Sequence, residues 1–121
     1  MTAAVWIGVG LVSGVGALLR FCVHTAVQRR AGTVFPLGTL AVNVAGSLVL
    51  GLLHGLGATG EEILLLGTAL LGSFTTFSTW MLETEGLREG REGGMAAANV
   101  GISLALGLAA VALGWAVGAV L

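Results

Sequence analysis

The chain has 121 residues, 56% hydrophobic and only 9% charged, with a net charge of −1. So few charged groups cannot clothe a soluble globule, and five scattered arginines without one lysine form no basic patch for nucleic-acid phosphates. One cysteine, Cys22, excludes an intrachain disulfide and a paired-cysteine metal site, and it reads as a small apolar helix residue.

A helix needs about 20 mostly apolar residues to cross a hydrocarbon core about 30 Å thick. Four such runs fill the sequence, which predicts an all-α membrane protein with lipid around it and no separate soluble domain. The first run covers residues 4–27. It lacks a basic leader region and a cleavage site, so it is expected to stay as a span. Arg20 lies inside it, either snorkelling to the surface or raising anion concentration in an entry vestibule. His24 reads as interfacial. The link QRRAGTVFP follows, with Arg29, Arg30 and the only proline, Pro36, placed where a helix can start without losing a needed N–H.

The second run covers residues 35–56 and contains GTLAVNVAGSLVLGLL. An unpaired amide at Asn43 would cost several kcal/mol in hydrocarbon, so it must have partners. Thr39, Asn43 and Ser47 are four apart and fall on one helical face. His54 sits near the span end, and the next link, HGLGATGEE, is glycine-rich and acidic.

The third run, residues 62–82, carries GSFTTFSTW at 72–80 with Glu83 just beyond it. Glycine followed by hydroxyl and β-branched residues favours a break in the helical ladder at mid-membrane depth. Such breaks persist only where the freed backbone groups line a cavity, meet protein partners or hold an ion. Phe77 and Trp80, three apart, can turn electropositive ring edges towards an anion or simply pack. The link ETEGLREGREGG reads as a plain solvated turn.

The fourth run, residues 95–121, repeats the polar spacing with Asn99, Ser103 and Gly107. Two facing polar stripes would make a thin wet track; the plainer alternative is interhelical hydrogen bonding and hydroxyls bonded to their own helix. The pairs Gly10 and Gly14, Gly51 and Gly55, and Gly114 and Gly118 read as close-packing surfaces. Arginines occur only in the first and third links and at Arg20, so the positive-inside rule places both termini outside. No nucleophile stands beside a base, so an enzyme is not supported.

GALLRF at 16–21, GTLAVNVAGSLVLGLL at 38–53, GSFTTFSTW at 72–80 with Glu83, and Ser103 together resemble the CrcB/Fluc family of fluoride channels over essentially the whole chain. The resemblance implies a four-helix subunit whose third helix is broken mid-membrane and which assembles as an antiparallel, dual-topology dimer in the plasma (inner) membrane. It also implies two narrow fluoride pores and a structural sodium ion held by the backbone carbonyls of Gly72 and Thr75. Fluoride would be met by Asn43, Phe77, Trp80, Thr39, Ser103, Ser78 and Thr79, with Arg20 and Glu83 at the vestibule. The chain departs from the family where Trp80 replaces a second phenylalanine, Asn99 a tyrosine and Gly107 a hydroxyl residue.

Passive fluoride export is therefore the leading expectation. A homodimer is the simplest assembly, while Trp80 and the arginine asymmetry motivate a non-conducting partner subunit in a heterodimer. A small proton-coupled multidrug exporter is the remaining alternative, disfavoured because the first, second and fourth runs hold no carboxylate and Glu83 lies near the end of the third.

Overall fold

The computed structural model describes residues 1–121 and is all helical. Four stretches are long and apolar enough to cross a membrane: Ala3–Ala31, Leu37–Gly55, Gly60–Glu89 and Gly93–Gly118. The first two are single helices, α1 (Ala3–Ala31) and α2 (Leu37–Gly55). The third is composite, with α3 (Gly60–Glu62), a π-helix (Ile63–Leu71), α4 (Gly72–Phe74) and α5 (Ser78–Glu89). The fourth is α6 (Gly93–Gly118).

Lipid, not water, is the solvent this surface suits. Only 17 of 121 residues are buried, and Leu11, Leu18, Phe21, Leu82 and Leu108 stand fully on the outside. The largest side chains with almost no exposure are Val42, Asn99 and Thr39, so two of the three carry hydrogen-bonding groups. In hydrocarbon such groups have no water to fall back on, and burying them against one another is the stable arrangement.

Helices α2 and α6 form the most extensive pairing. Their backbones approach so closely that a methyl group on Gly51 would run into the Val111 carbonyl, and one on Gly114 into the Leu48 carbonyl. Gly55 and Gly118 continue the same seam. Two of the three glycine pairs therefore mate with each other, whereas Gly10 and Gly14 of α1 have nothing within 4 Å.

The first link is held by one side chain. Gln28 donates from Nε2 to the carbonyls of Thr33 (2.7 Å) and Phe35 (3.1 Å) and accepts the Gly38 N–H (3.0 Å) at Oε1. Pro36 precedes α2 as its N-terminal flanking residue. The third link is shorter than the sequence suggested. ETEGLRE is helical through Glu89, with Leu87 buried and Arg88 bonded through Nε to Glu85 Oε2 at 2.8 Å, so the turn is confined to Gly90–Glu92. The i, i+3 pair and the buried leucine favour continued helix over a turn.

The break in the third span is present, but glycine does not make it. Gly72 has ordinary helical angles, φ −63° and ψ −34°. Thr75 is the extended residue, φ −80° and ψ 162°. Its N–H and its Oγ1 both bond the Leu71 carbonyl at 2.9 Å, a back-bond that loosens the helical ladder at that turn. Just before it, nine residues are π-helical, so the ladder has already changed register when it reaches the threonines.

Candidate functional site

At the break, the backbone N–H groups of two threonines bond side-chain oxygens instead of helical carbonyls. In an unbroken helix the Thr76 N–H would close onto the Gly72 carbonyl and the Thr79 N–H onto that of Thr75. Instead Thr76 N–H goes to Asn43 Oδ1 (2.8 Å) and Thr79 N–H to Thr76 Oγ1 (3.2 Å). The carbonyls of Gly72 and Thr75 are thereby released from the ladder. Asn43 Nδ2 completes the exchange by donating to the Thr76 carbonyl at 2.8 Å. Asn43 thus has the partners its depth demands, and one of its two amide hydrogens remains for another acceptor.

Close approach of α2 makes this possible. Thr75 leans so near Gly46 that any β-carbon there would collide with the Thr75 methyl. On the other side of the break, Arg20 of α1 donates from Nη1 to the Thr75 carbonyl at 3.2 Å. The guanidinium is thus turned towards the break.

Two cavities meet at this point. The larger, about 480 Å³, opens sideways and is lined by Asn43, Ser47, Gly72, Thr75, Phe77, Trp80 and Ser103 among others. Phe77 is 70% exposed there and meets Trp80 edge-on, with centroids 5.6 Å apart and planes at 76°. The smaller, about 210 Å³, is lined by Arg20, His24, Thr76 and Thr79 with the apolar Ala17, Phe21 and Val42. Thr76 touches both. Its Oγ1 also reaches Thr79 Oγ1 (3.1 Å) and Ser78 Oγ (3.5 Å), so three hydroxyls cluster where the break ends.

The two polar stripes divide between cavity and interior. Asn43 and Ser47 open into the larger cavity opposite Ser103 and Gly107. Ser47 and Gly107 face each other directly, since a β-carbon on Gly107 would lie 3.8 Å from Ser47 Oγ. Thr39 and Asn99, at the far ends of the stripes, are instead buried against α5. Thr39 Oγ1 donates to Glu83 Oε1 at 2.6 Å, and His24 Nε2 lies 3.5 Å from the same oxygen. Glu83 Oε2 is buried and has no partner within the chain, an open position beside this polar group. Asn99 Nδ2 donates to Thr84 Oγ1 (2.8 Å), and Ser103 Oγ reaches Asn99 Oδ1 at 3.5 Å.

The residues expected along the fluoride path, at the vestibule and at the ion thus fall within this one region, though not in one cavity. Thr76, Thr84 and Gly46 were not singled out, and His24 was read as interfacial. His24 carried a signal, four residues after Arg20 on the same helical face. Nothing in TTF distinguishes which threonine is extended and which donates to Asn43.

The freed carbonyls suit a particular ion. No group of three His, Cys, Asp or Glu side chains comes together anywhere in the chain. Neutral carbonyl oxygens are hard ligands that match an alkali cation rather than a transition metal. Gly72 and Thr75 both line the larger cavity. One chain supplies two such oxygens, fewer than the set of carbonyls that replaces an alkali ion's hydration shell in a filter.

A family model described as CrcB-like protein, Camphor Resistance (CrcB), matches residues 7–115. A protein of Mycolicibacterium paratuberculosis named fluoride-specific ion channel FluC 2 is 55% identical over 113 residues, covering 93% of each chain. Its namesake in Mycobacterium bovis is 51% identical over 114 residues, 94% of this chain and 90% of that one. A FluC 1 of Symbiobacterium thermophilum is 45% identical over 120 residues, 93% of this chain and 96% of its own.

Proposed function

This chain belongs to the CrcB-like family, and from that premise we propose that it forms a fluoride-selective channel, a multi-pass protein of the plasma membrane that lets fluoride leave the cell passively. The observation that carries the reading is the interrupted third span, where Asn43 and Thr76 exchange backbone-type hydrogen bonds beside a cavity rich in hydroxyls and aromatic edges. Fluoride is small and strongly hydrated, so a path for it needs dense donors in place of water. Asn43 has an amide hydrogen to spare, Thr79, whose Oγ1 accepts from Thr76, keeps its own hydroxyl hydrogen, Ser78 and Ser103 stand close by, and Phe77 and Trp80 contribute ring edges.

Arg20 and the smaller cavity form the vestibule in this scheme. A cation at its wall concentrates anions before they meet the hydroxyl cluster. Glu83, bonded to Thr39 and beside His24, stands at the end of the polar track. Fluoride enters cells as the neutral acid, dissociates and is trapped, and a negative-inside potential then drives the anion out. No energy source is required.

A second, inverted copy completes the assembly. Phe77 is too exposed for a ring at mid-membrane depth in a working pore, and the larger cavity is open along the same face. The carbonyls of Gly72 and Thr75 from both copies would hold a sodium ion, which supplies positive charge to tie the two breaks together. Arg20 on the Thr75 carbonyl leaves that oxygen's second lone pair for the ion.

The test is fluoride efflux from liposomes containing the purified chain, with chloride as the comparison. Fast fluoride release with little chloride release is expected; equal release of both overturns selectivity. A second reading, a non-conducting partner subunit, is favoured by Trp80 and by the arginines confined to one side of the membrane. Silence alone with rescue by a co-expressed related chain would select it. Proton-coupled drug export is set aside by the family membership.

A further inference from the structure

Trp80 introduces a strong N–H donor where a phenylalanine would offer none, and the structure shows where that donor goes. Nε1 donates to the backbone carbonyl of Asn99 in α6 at 3.2 Å. Asn99 returns the contact through its side chain, with Nδ2 donating to Thr84 Oγ1 at 2.8 Å. Thr84 Oγ1 in turn donates to the Trp80 carbonyl at 2.8 Å. Three residues thus close one circuit from the Trp80 ring, through α6, back to the Trp80 backbone.

We infer that Asn99 is a positioning residue for the pore: its side chain, bonded to Thr84, steadies the α6 backbone carbonyl that receives the Trp80 indole N–H, which leaves only ring carbons of Trp80 to face the cavity. Asn99 is 1% exposed, and its Oδ1 lies 3.5 Å from the Ser103 hydroxyl, so its amide faces the interior. With the indole nitrogen occupied, the ring atoms of Trp80 left to line the cavity are all C–H. Trp80 therefore does the work of a phenyl ring edge beside Phe77, which it meets edge-on. Trp80 and the Asn99 side chain that steadies its acceptor act as one unit.

The functional half of this inference rests on the fluoride-channel reading; the pinning of the ring does not. In a Trp6→Phe/Trp115→Phe background, Trp80 is the sole tryptophan, and its emission and anisotropy report the indole directly. Asn99→Leu and, independently, Thr84→Val are each expected to shift the emission and lower the anisotropy. Unchanged spectra in both variants overturn the circuit, whether or not the chain conducts. In liposomes, Asn99→Leu is expected to slow fluoride efflux about fivefold, an ordinary coupling for residues sharing one hydrogen-bond network. Measured against Trp80→Phe at whatever rate that chain shows, adding Asn99→Leu is expected to change efflux no further. An Asn99→Leu effect that persists at full size without the indole overturns the proposal. Absence of fluoride flux from the unsubstituted chain would sink the channel reading while the fluorescence still decides the circuit.

Discussion

Asn43 and Thr76 exchange two hydrogen bonds of 2.8 Å each, amide N–H to carbonyl and backbone N–H to amide oxygen. A side chain of α2 thereby completes the backbone of another span at the point where that span's own ladder stops. In lipid no water can take over this task, so the break exists only as long as the amide is there.

Asn43→Leu keeps the branched shape and removes both bonds, leaving the N–H and C=O of Thr76 unpaired. Each buried unsatisfied group costs about 1–3 kcal/mol, so a total loss of about 2–6 kcal/mol in unfolding free energy is expected in mild detergent, together with loss of fluoride efflux. Asn43→Asp retains the acceptor for the Thr76 N–H and should fall between. Wild-type unfolding of Asn43→Leu would show that the break holds itself open.

The seam between α2 and α6 gives a test of packing that is independent of transport. A methyl on Gly51 meets the Val111 carbonyl, which is backbone and cannot rotate away. Gly51→Ala is expected to cost about 1–3 kcal/mol, as overpacking does in tight interiors. Gly10→Ala, with open space around it, should change stability by no more than about 0.5 kcal/mol either way. Unfolding of both variants in the same detergent decides the matter, and equal effects would contradict the seam.

Much of this was legible from residue order alone, for physical reasons that differ by feature. Four apolar runs of spanning length leave little choice of architecture, and Asn43 at mid-span demanded a partner. Glycines four apart on α2 and α6 announced a seam, but the same spacing on α1 meets nothing, because spacing shows a face and not what covers it. The break was expected from the glycine and the threonines together; Gly72 stays helical, and the ladder ends at Thr75 and Thr76, where the Thr76 N–H leaves it for Asn43 Oδ1. The π-helix before it left no readable mark. Its register depends on how Ile63–Leu71 packs against α1, which is information held between segments rather than within one.

The carbonyls of Gly72 and Thr75 predict a dependence on sodium. An ion that binds only the assembled protein stabilises it by about 2.7 kcal/mol at a hundred times its dissociation constant. Exchanging sodium for a bulky organic cation should therefore lower the unfolding temperature and the fraction of cross-linked dimer, and restoring sodium should recover both. Identical melting and cross-linking in the two buffers would mean that no alkali ion sits there.

Arg20 has two possible effects on transport, and ionic strength separates them. Its guanidinium lines the smaller cavity, where it attracts anions, and it also holds the Thr75 carbonyl at 3.2 Å. Attraction at a distance is screened by salt, with a Debye length of about 30 Å at 0.01 M and about 10 Å at 0.1 M. A hydrogen bond within a packed helix break is not. Arg20→Gln keeps a donor for the carbonyl and removes the charge, so it should slow fluoride efflux severalfold at low ionic strength and progressively less as an impermeant salt is added. Arg20→Leu removes the donor as well, and its deficit should persist at every salt concentration. If the two variants behave alike and neither responds to salt, the charge plays no part in gathering fluoride, and Arg20 serves only to hold the extended backbone of Thr75 in place.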